Sequence, residues 1–340
     1  MVLENLFPEN WLEKKTGYAF LLGFIFSIVG IIIAQWLFGA NAGLASVMFT
    51  SILLIPSLRK LFVKEEKREE KEKRFSLREL YKDNKHLIHT YVGIFFGVFV
   101  AYWALSFFGS LMNWNVTSLF REQVFLDPAI SGRASYSFST FWSILQNNWW
   151  VLVACFFLSL ISGDGATFFV VWNASAWAVI FGVRGVAAAA TLGQSPFVVG
   201  GLMLLLILPH MILEGGAYIL AGIAGAVISD EIIRKSKEIK KFLGSLLLVI
   251  VGFWIFNFIF KMILSGPVLI VLRMLVLGGL VYTLKYVFTD KKHQEVFMYN
   301  YWLFIIALVV FIIGAGVETG VLSYSGLLSK YYLAASGIIF

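Results

Sequence analysis

The chain is 340 residues long; 59% of them are hydrophobic, 17% aromatic and 14% charged, and the formal net charge is +7. A charged fraction so far below the globular norm of about 25% excludes an ordinary water-soluble domain. The positive residues sit beside apolar runs, where membrane topology accounts for them before nucleic acid does, so no nucleic-acid partner is expected. Runs of about twenty apolar residues recur from end to end, the length a helix needs to cross about 30 Å of hydrocarbon. They are too long for the roughly ten-residue alternating strands of an outer-membrane barrel. The expected fold is all-α: a polytopic transmembrane helical bundle in the lipid bilayer, each span satisfying its own backbone.

In chain order, the mixed-charge start MVLENLFPENWLEKKTG lacks the short apolar core and small-residue cleavage site of a secretory signal, so Tyr18–Phe38 reads as a retained first span. Gly43–Val63 follows as the return arm of an N-terminal hairpin over 1–63. The run KEEKREEKEKR at Lys64–Arg74 sets opposite charges three and four apart. It reads as a solvated helical extension inside a charged cytoplasmic linker, 64–86. Spans near Leu87–Asn113, Ser139–Ser162, Gly165–Gly182 and Pro196–Ile228 form a membrane core over 87–241. Phe242–Leu264, Pro267–Val287 and Asn300–Gly320 complete a C-terminal region over 242–340, for about nine spans in all. The tail from Val321 is too short and mixed for a tenth and is expected to lie along the interface or re-enter. Cys155, the single cysteine, lies in an apolar run and excludes an intramolecular disulfide.

Retained lysine and arginine mark the cytoplasmic side. Arg59–Lys85 holds eleven basic residues, Ser229–Lys241 five, and Lys285, Lys291 and Lys292 form a third cluster. Nine spans with a cytoplasmic N-terminus put all three on one side, as expected of a multi-pass protein of the cell membrane. Residues 139–182 must then pass in and back. They do so as two full spans or as a re-entrant hairpin over 149–182, which the interfacial pair Trp149 and Trp150 would open; the sequence leaves both open.

Several polar residues fall where lipid makes them costly. QNNWW contains Asn147 and Asn148, whose amides donate and accept. In SGDGATFFVVWNASAW, Gly163 and Gly165 flank Asp164, which reads equally as a helix break presenting a carboxylate or as a solvated turn. Asn173, nine residues further, is on another helix face and suits an interhelical hydrogen bond. In LPHMILEGGAYILAG, Pro209 removes the donor for the Leu205 carbonyl and predicts a kink. His210 and Glu214, four apart, share a face and are placed to hold a proton, a cation or a divalent metal between them, with Asp164 as a third candidate. No organic cofactor is expected. Ala217, Ala221 and Gly225 continue that stripe as small residues, which lets another helix approach within the subunit or across a homo-oligomer. Lys261, Lys285 and Glu318 lie near predicted span ends and read as snorkelling side chains. Arg273 lies deeper and calls for an intramembrane carboxylate partner. His86 and His89 read as interfacial histidines.

Common catalytic motifs are absent: the sequence has no G-x-x-x-x-G-K-[ST], H-E-x-x-H or G-x-S-x-G. The order QNNWW, GDGATFFVVWNASA and LPHMILEGGAYILAGIAG, chiefly within Tyr136–Asp230, resembles the stage II sporulation protein M family of polytopic membrane proteins. The resemblance implies that Asn147, Asn148, Gly163, Gly165, Asn173, Pro209, His210 and Glu214 occupy the family's motif positions. Ala174 and Met211 depart from it, standing where the family has glycines after the asparagine and the histidine. In spore formers the family implies a membrane component working with peptidoglycan-degrading partners; no residue here reads a cell-wall substrate. The first functional expectation is therefore a non-enzymatic membrane scaffold or assembly protein, homo-oligomeric or bound to unidentified membrane or envelope proteins. The alternative is a transporter or channel for a proton, cation or small polar solute, built on the His210 and Glu214 pair.

Overall fold

In the computed structural model, residues 16–39, 42–69, 77–124, 138–235 and 238–324 are described. The first fifteen residues, 40–41, the part 70–76 of the charged linker, the segment 125–137, 236–237 and the tail from 325 lie outside them. The described chain is helical: α1 (Thr16–Phe38), α2 (Gly43–Glu69), α3 (Leu77–Leu111), the short α4 (Val116–Leu119) and α5 (Arg121–Val124), α6 (Phe138–Ser162), α7 (Ala166–Leu192), α8 (Pro196–Lys235), α9 (Ile239–Phe260), α10 (Gly266–Thr283) and α11 (Lys291–Tyr324). A 3₁₀ turn, Leu284–Val287, follows α10. No strand is present among the described residues.

Eight of these helices are long and apolar enough to cross a membrane. The ninth expected span is the second, where the apolar helical stretch runs only from Gly43 to Leu58. Leu58 is also where the described side chains of this helix stop. Its helix continues to Glu69, as the opposite-charge spacing of the linker predicts. The choice left open at 139–182 resolves into two long helices rather than the re-entrant hairpin over 149–182. The candidate spans there are Ser139–Ser162 and Ala166–Leu192, of 24 and 27 residues. Trp149 does not mark an interface, because eleven residues of α6 precede it and its side chain is buried.

Small residues set the packing. Gly93 and Gly97 on α3 face the α1 backbone at Thr16 and Phe20, and Gly23 on α1 faces Ile94 in return. A Cβ at Gly93 would stand 2.8 Å from the Thr16 carbonyl oxygen, closer than real Cβ atoms approach. α8 occupies the centre, packed most extensively on α11 and α6 and also on α7, while α9 and α10 form an arm with sparse contacts to the rest. Ala217 and Ala221 are fully buried, and Gly225 abuts the Phe156 carbonyl and the Leu160 N–H of α6. The small-residue stripe is thus filled inside the chain. α8 runs unbroken through Pro209.

The turns show how one end of the bundle is made. Gly163, at φ 85°, adopts the left-handed conformation that L side chains avoid, letting α6 reverse into α7 within three residues. Ser159 Oγ accepts from the Ala166 N–H at 2.8 Å, satisfying a donor at the start of α7. Glu238, at the α8–α9 junction, accepts from the Thr289 hydroxyl at 2.7 Å, tying that junction to the α10–α11 turn.

Candidate functional site

Glu214 lies eighteen residues into the 40-residue α8 and is 1% exposed. The Asn148 amide, from α6, donates to both of its carboxylate oxygens at 3.1 Å. From α11 the Glu318 carboxyl comes within hydrogen-bonding reach of the same group. Gly314, one turn before Glu318, makes this approach possible: a Cβ there would be 3.0 Å from Glu214 Cγ. Three helices therefore converge on one carboxyl, supplying an amide, an acid and a missing side chain. A hydrogen bond between two carboxyls requires an O–H on one of them, so the contact is compatible with one shared proton and not with two bare carboxylates.

His210 and Tyr218 lie one turn before and after Glu214 on the same face of α8. His210 is 7% exposed and meets the Trp177 ring edge-on, with centroids 6.4 Å apart; its Nδ1 has no hydrogen-bond partner. Among the described residues no hydrogen bond joins it to Glu214, so the pairing suggested by i, i+4 spacing is replaced by two pairings across helices. Tyr218 is 1% exposed, its hydroxyl also lacks a hydrogen-bond partner, and both carboxyls act on it electrostatically.

The other predicted residues are placed elsewhere. Asn147 is exposed on α6, one residue from Asn148 but turned away from the bundle. Asp164 and its flanking Gly163 and Gly165 form the half-exposed α6–α7 turn, sixteen residues beyond Asn148 and therefore about 24 Å along α6. Asp164 acts electrostatically on Tyr91, whose hydroxyl lies 3.3 Å from Thr167 Oγ1. Asn173 donates to the Phe169 carbonyl at 2.7 Å, bonding back to its own helix instead of across to another. Pro209 immediately precedes His210, inside the helix.

Among the described residues Arg273 finds no carboxylate. Its Nε donates to Asn257 Oδ1 at 2.7 Å, and its guanidinium lies 5.9 Å from the Trp150 ring centroid. Lys285 donates to the Tyr282 hydroxyl and stands over the Tyr282 and Tyr286 rings, while Lys261 stands over Phe258. Among the described residues no group of three or more His, Cys, Asp or Glu side chains is arranged to hold a metal ion.

Glu318 is the site residue that sequence reasoning missed. The predicted last span ended at Gly320, which put Glu318 at a membrane edge; α11 instead continues to Tyr324 and starts nine residues earlier than expected, at Lys291. The available signal was the spacing Gly314-x-x-x-Glu318, a small residue one turn from a lone acid in an apolar run.

A family model described as Stage II sporulation protein M matches residues 87–281. The match takes in Asn148, His210 and Glu214 and stops short of α11, so Glu318 lies outside it. No curated protein and no solved structure matches the chain.

Proposed function

Because the chain belongs to the stage II sporulation protein M family, we propose that it acts as a multi-pass membrane transport protein, its central site handling a proton or cation at Glu214. The observation that carries this reading is the contact between the buried Glu214 carboxyl and the half-buried Glu318 carboxyl, reached by an amide donor. Ionisable side chains inside spans are costly and concentrate where charge is bound or moved. The site occupies the helix contacts that a moving bundle would have to change, α8 against α6 and α11.

The orientation that goes with this reading has the N-terminus in the cytoplasm of a cell membrane. It rests on the three basic clusters, which nine spans with a cytoplasmic N-terminus would put on one side.

A second reading, a membrane scaffold, is favoured by the α9–α10 arm. Leu247, Leu248, Trp254, Met262 and Leu275 are among its exposed large side chains. Such a surface fits lipid or another membrane protein. The small-residue stripe no longer argues for a homo-oligomer, since α6 fills it.

Flux decides between the two. Protein reconstituted in liposomes with an entrapped pH indicator is expected to dissipate an imposed pH or sodium gradient, and Glu214→Gln to slow that at least tenfold. Equal rates for wild type, Glu214→Gln and protein-free liposomes would leave the scaffold reading standing and remove the transport one.

A further inference from the structure

Taking the transport reading as its premise, we infer that the cargo of this site is the proton, passed along one face of α8 from His210 through the Glu214–Glu318 pair to Tyr218. The two acids face each other across α8 and α11 with no lysine, arginine or histidine hydrogen-bonded or ion-paired to Glu214 among the described residues. Two ionised carboxylates in that position would repel in a medium of low dielectric, and a single proton relieves this while forming the carboxyl–carboxyl hydrogen bond.

The flanking groups supply the second, independent observation. A buried polar atom without a partner is uncommon, and here two of them bracket the acids at four-residue spacing. His210 Nδ1 and the Tyr218 hydroxyl are both without a hydrogen-bond partner, and both side chains are more than nine-tenths buried. Tyr218 lies one turn from Glu214 on the same face of α8, and both carboxyls act on it electrostatically. Each flanking group both accepts and donates a proton, which a relay requires and a static brace does not. Residues four apart on a helix are separated by one turn, which sets the length of each step.

The chemistry balances without a co-reactant. One O–H bond breaks on the donor as one forms on the acceptor, and an imidazole or phenol gives up a proton on one side while taking one on the other. No metal takes part in these steps. The other ionisable groups near this face are Cys155 on α6, which acts on Tyr218, and Tyr91 on α3, which Cys155 and Asp164 influence. Arg273 on α10 is bonded to Asn257. None of these three interposes a positive charge between the acids.

The test uses the full chain in liposomes, with wild type, Glu214→Gln, Glu318→Gln and Tyr218→Phe compared after matching their elution and melting behaviour. Infrared spectroscopy reads whether a buried protonated carboxyl is present, and proton flux is followed in a buffer whose only cation is N-methylglucamine, then again with sodium. Wild type is expected to show the protonated-carboxyl band, which either glutamine variant removes. Its proton flux is expected to persist without alkali cation, and Tyr218→Phe to keep the band while slowing flux at least tenfold. If the band is absent, or survives in both glutamine variants, the relay is overturned. If flux appears only with sodium, the proton is the wrong cargo while the transport reading stands. If the band behaves as expected but neither ion moves, the transport reading itself falls and takes the relay with it. Should Glu214→Gln fail to fold, Glu318→Gln and Tyr218→Phe still decide.

Discussion

The α6–α8–α11 core and the α9–α10 arm are both strongly apolar, yet they use the same residue types in opposite ways. In the core, glycine is a contact: Gly222 meets Ala166, Gly225 meets the α6 backbone and Gly314 meets Glu214. In the arm, Gly244, Gly252 and Gly279 have nothing within 4 Å of where a Cβ would be. Polar groups divide likewise. The core gathers an amide and two acids from three helices around a buried Glu214, whereas the arm satisfies Arg273 with one amide oxygen and one ring. In lipid, association rests on close packing and interhelical hydrogen bonds, since apolar surface alone does not drive helices together. Hydropathy therefore locates both regions but ranks neither.

The largest effect that sharpens this contrast comes from glycine to leucine. Gly225→Leu must displace α6, whose Leu160 N–H would lie 2.9 Å from the first added atom. Overpacking of this kind costs about 3 kcal/mol, so the expected result is a sharp loss of folded yield in detergent. Gly252→Leu, in the arm, should stay within about 0.5 kcal/mol of wild type, as exposed substitutions usually do. Comparable losses at both positions, read by thermal melting, would mean that the arm is covered by something outside the chain.

Next in size is the removal of donors from acids. Asn148→Ala leaves Glu214 without its amide and should cost about 1–3 kcal/mol, the range for a buried group stripped of its partner. Asn148→Ala combined with Glu214→Leu should recover part of that loss, because an apolar pair removes the orphan. Failure to recover any would argue that the amide acts through packing alone.

The arm offers a smaller version of the same experiment. Asn257→Leu deprives Arg273 of its acceptor and should cost about 1 kcal/mol, near the average reach of interhelical hydrogen bonds in membranes. Arg273→Met added to it should bring stability back toward wild type. If the double variant melts lower than Asn257→Leu alone, the contact with Trp150 outweighs the amide bond.

The bundle class, the membrane setting and most spans were legible because apolar run length is a one-dimensional signal. The family likeness was legible too, through Asn148, His210 and Glu214 in order. What stayed hidden depended on which helix faces which. His210 and Glu214 share a helix face, and spacing suggested that they pair; the actual partners of Glu214 come from α6 and α11, at sequence separations of 66 and 104 residues. Glu318 was set aside because the end of α11 was placed four residues early, enough to move a carboxyl from the interior to an edge. The stripe of Ala217, Ala221 and Gly225 announced close packing correctly but carried no address for its partner.

The smallest expected effect lies outside the spans, where the arm is fastened to the core. Glu238 accepts from the Thr289 hydroxyl at 2.7 Å and from the Thr289 N–H at 3.1 Å. These bonds, the hydroxyl first, hold its carboxyl below the usual carboxylate range, with Lys241 and His293 assisting. A carboxyl whose pKa is lower in the folded state contributes stability above its unfolded pKa of about 4.3, and loses that contribution as pH falls through the folded value. The melting difference between wild type and Glu238→Gln should therefore be present at neutral pH and shrink in acid. Thr289→Val should reduce the difference at neutral pH, because it removes the stronger donor. The clasp is solvent-exposed, so the whole effect should also diminish in high salt. A difference that grows on acidification would show that Glu238 destabilises its junction, and the arm would then be held by its packing on α6, α8 and α11.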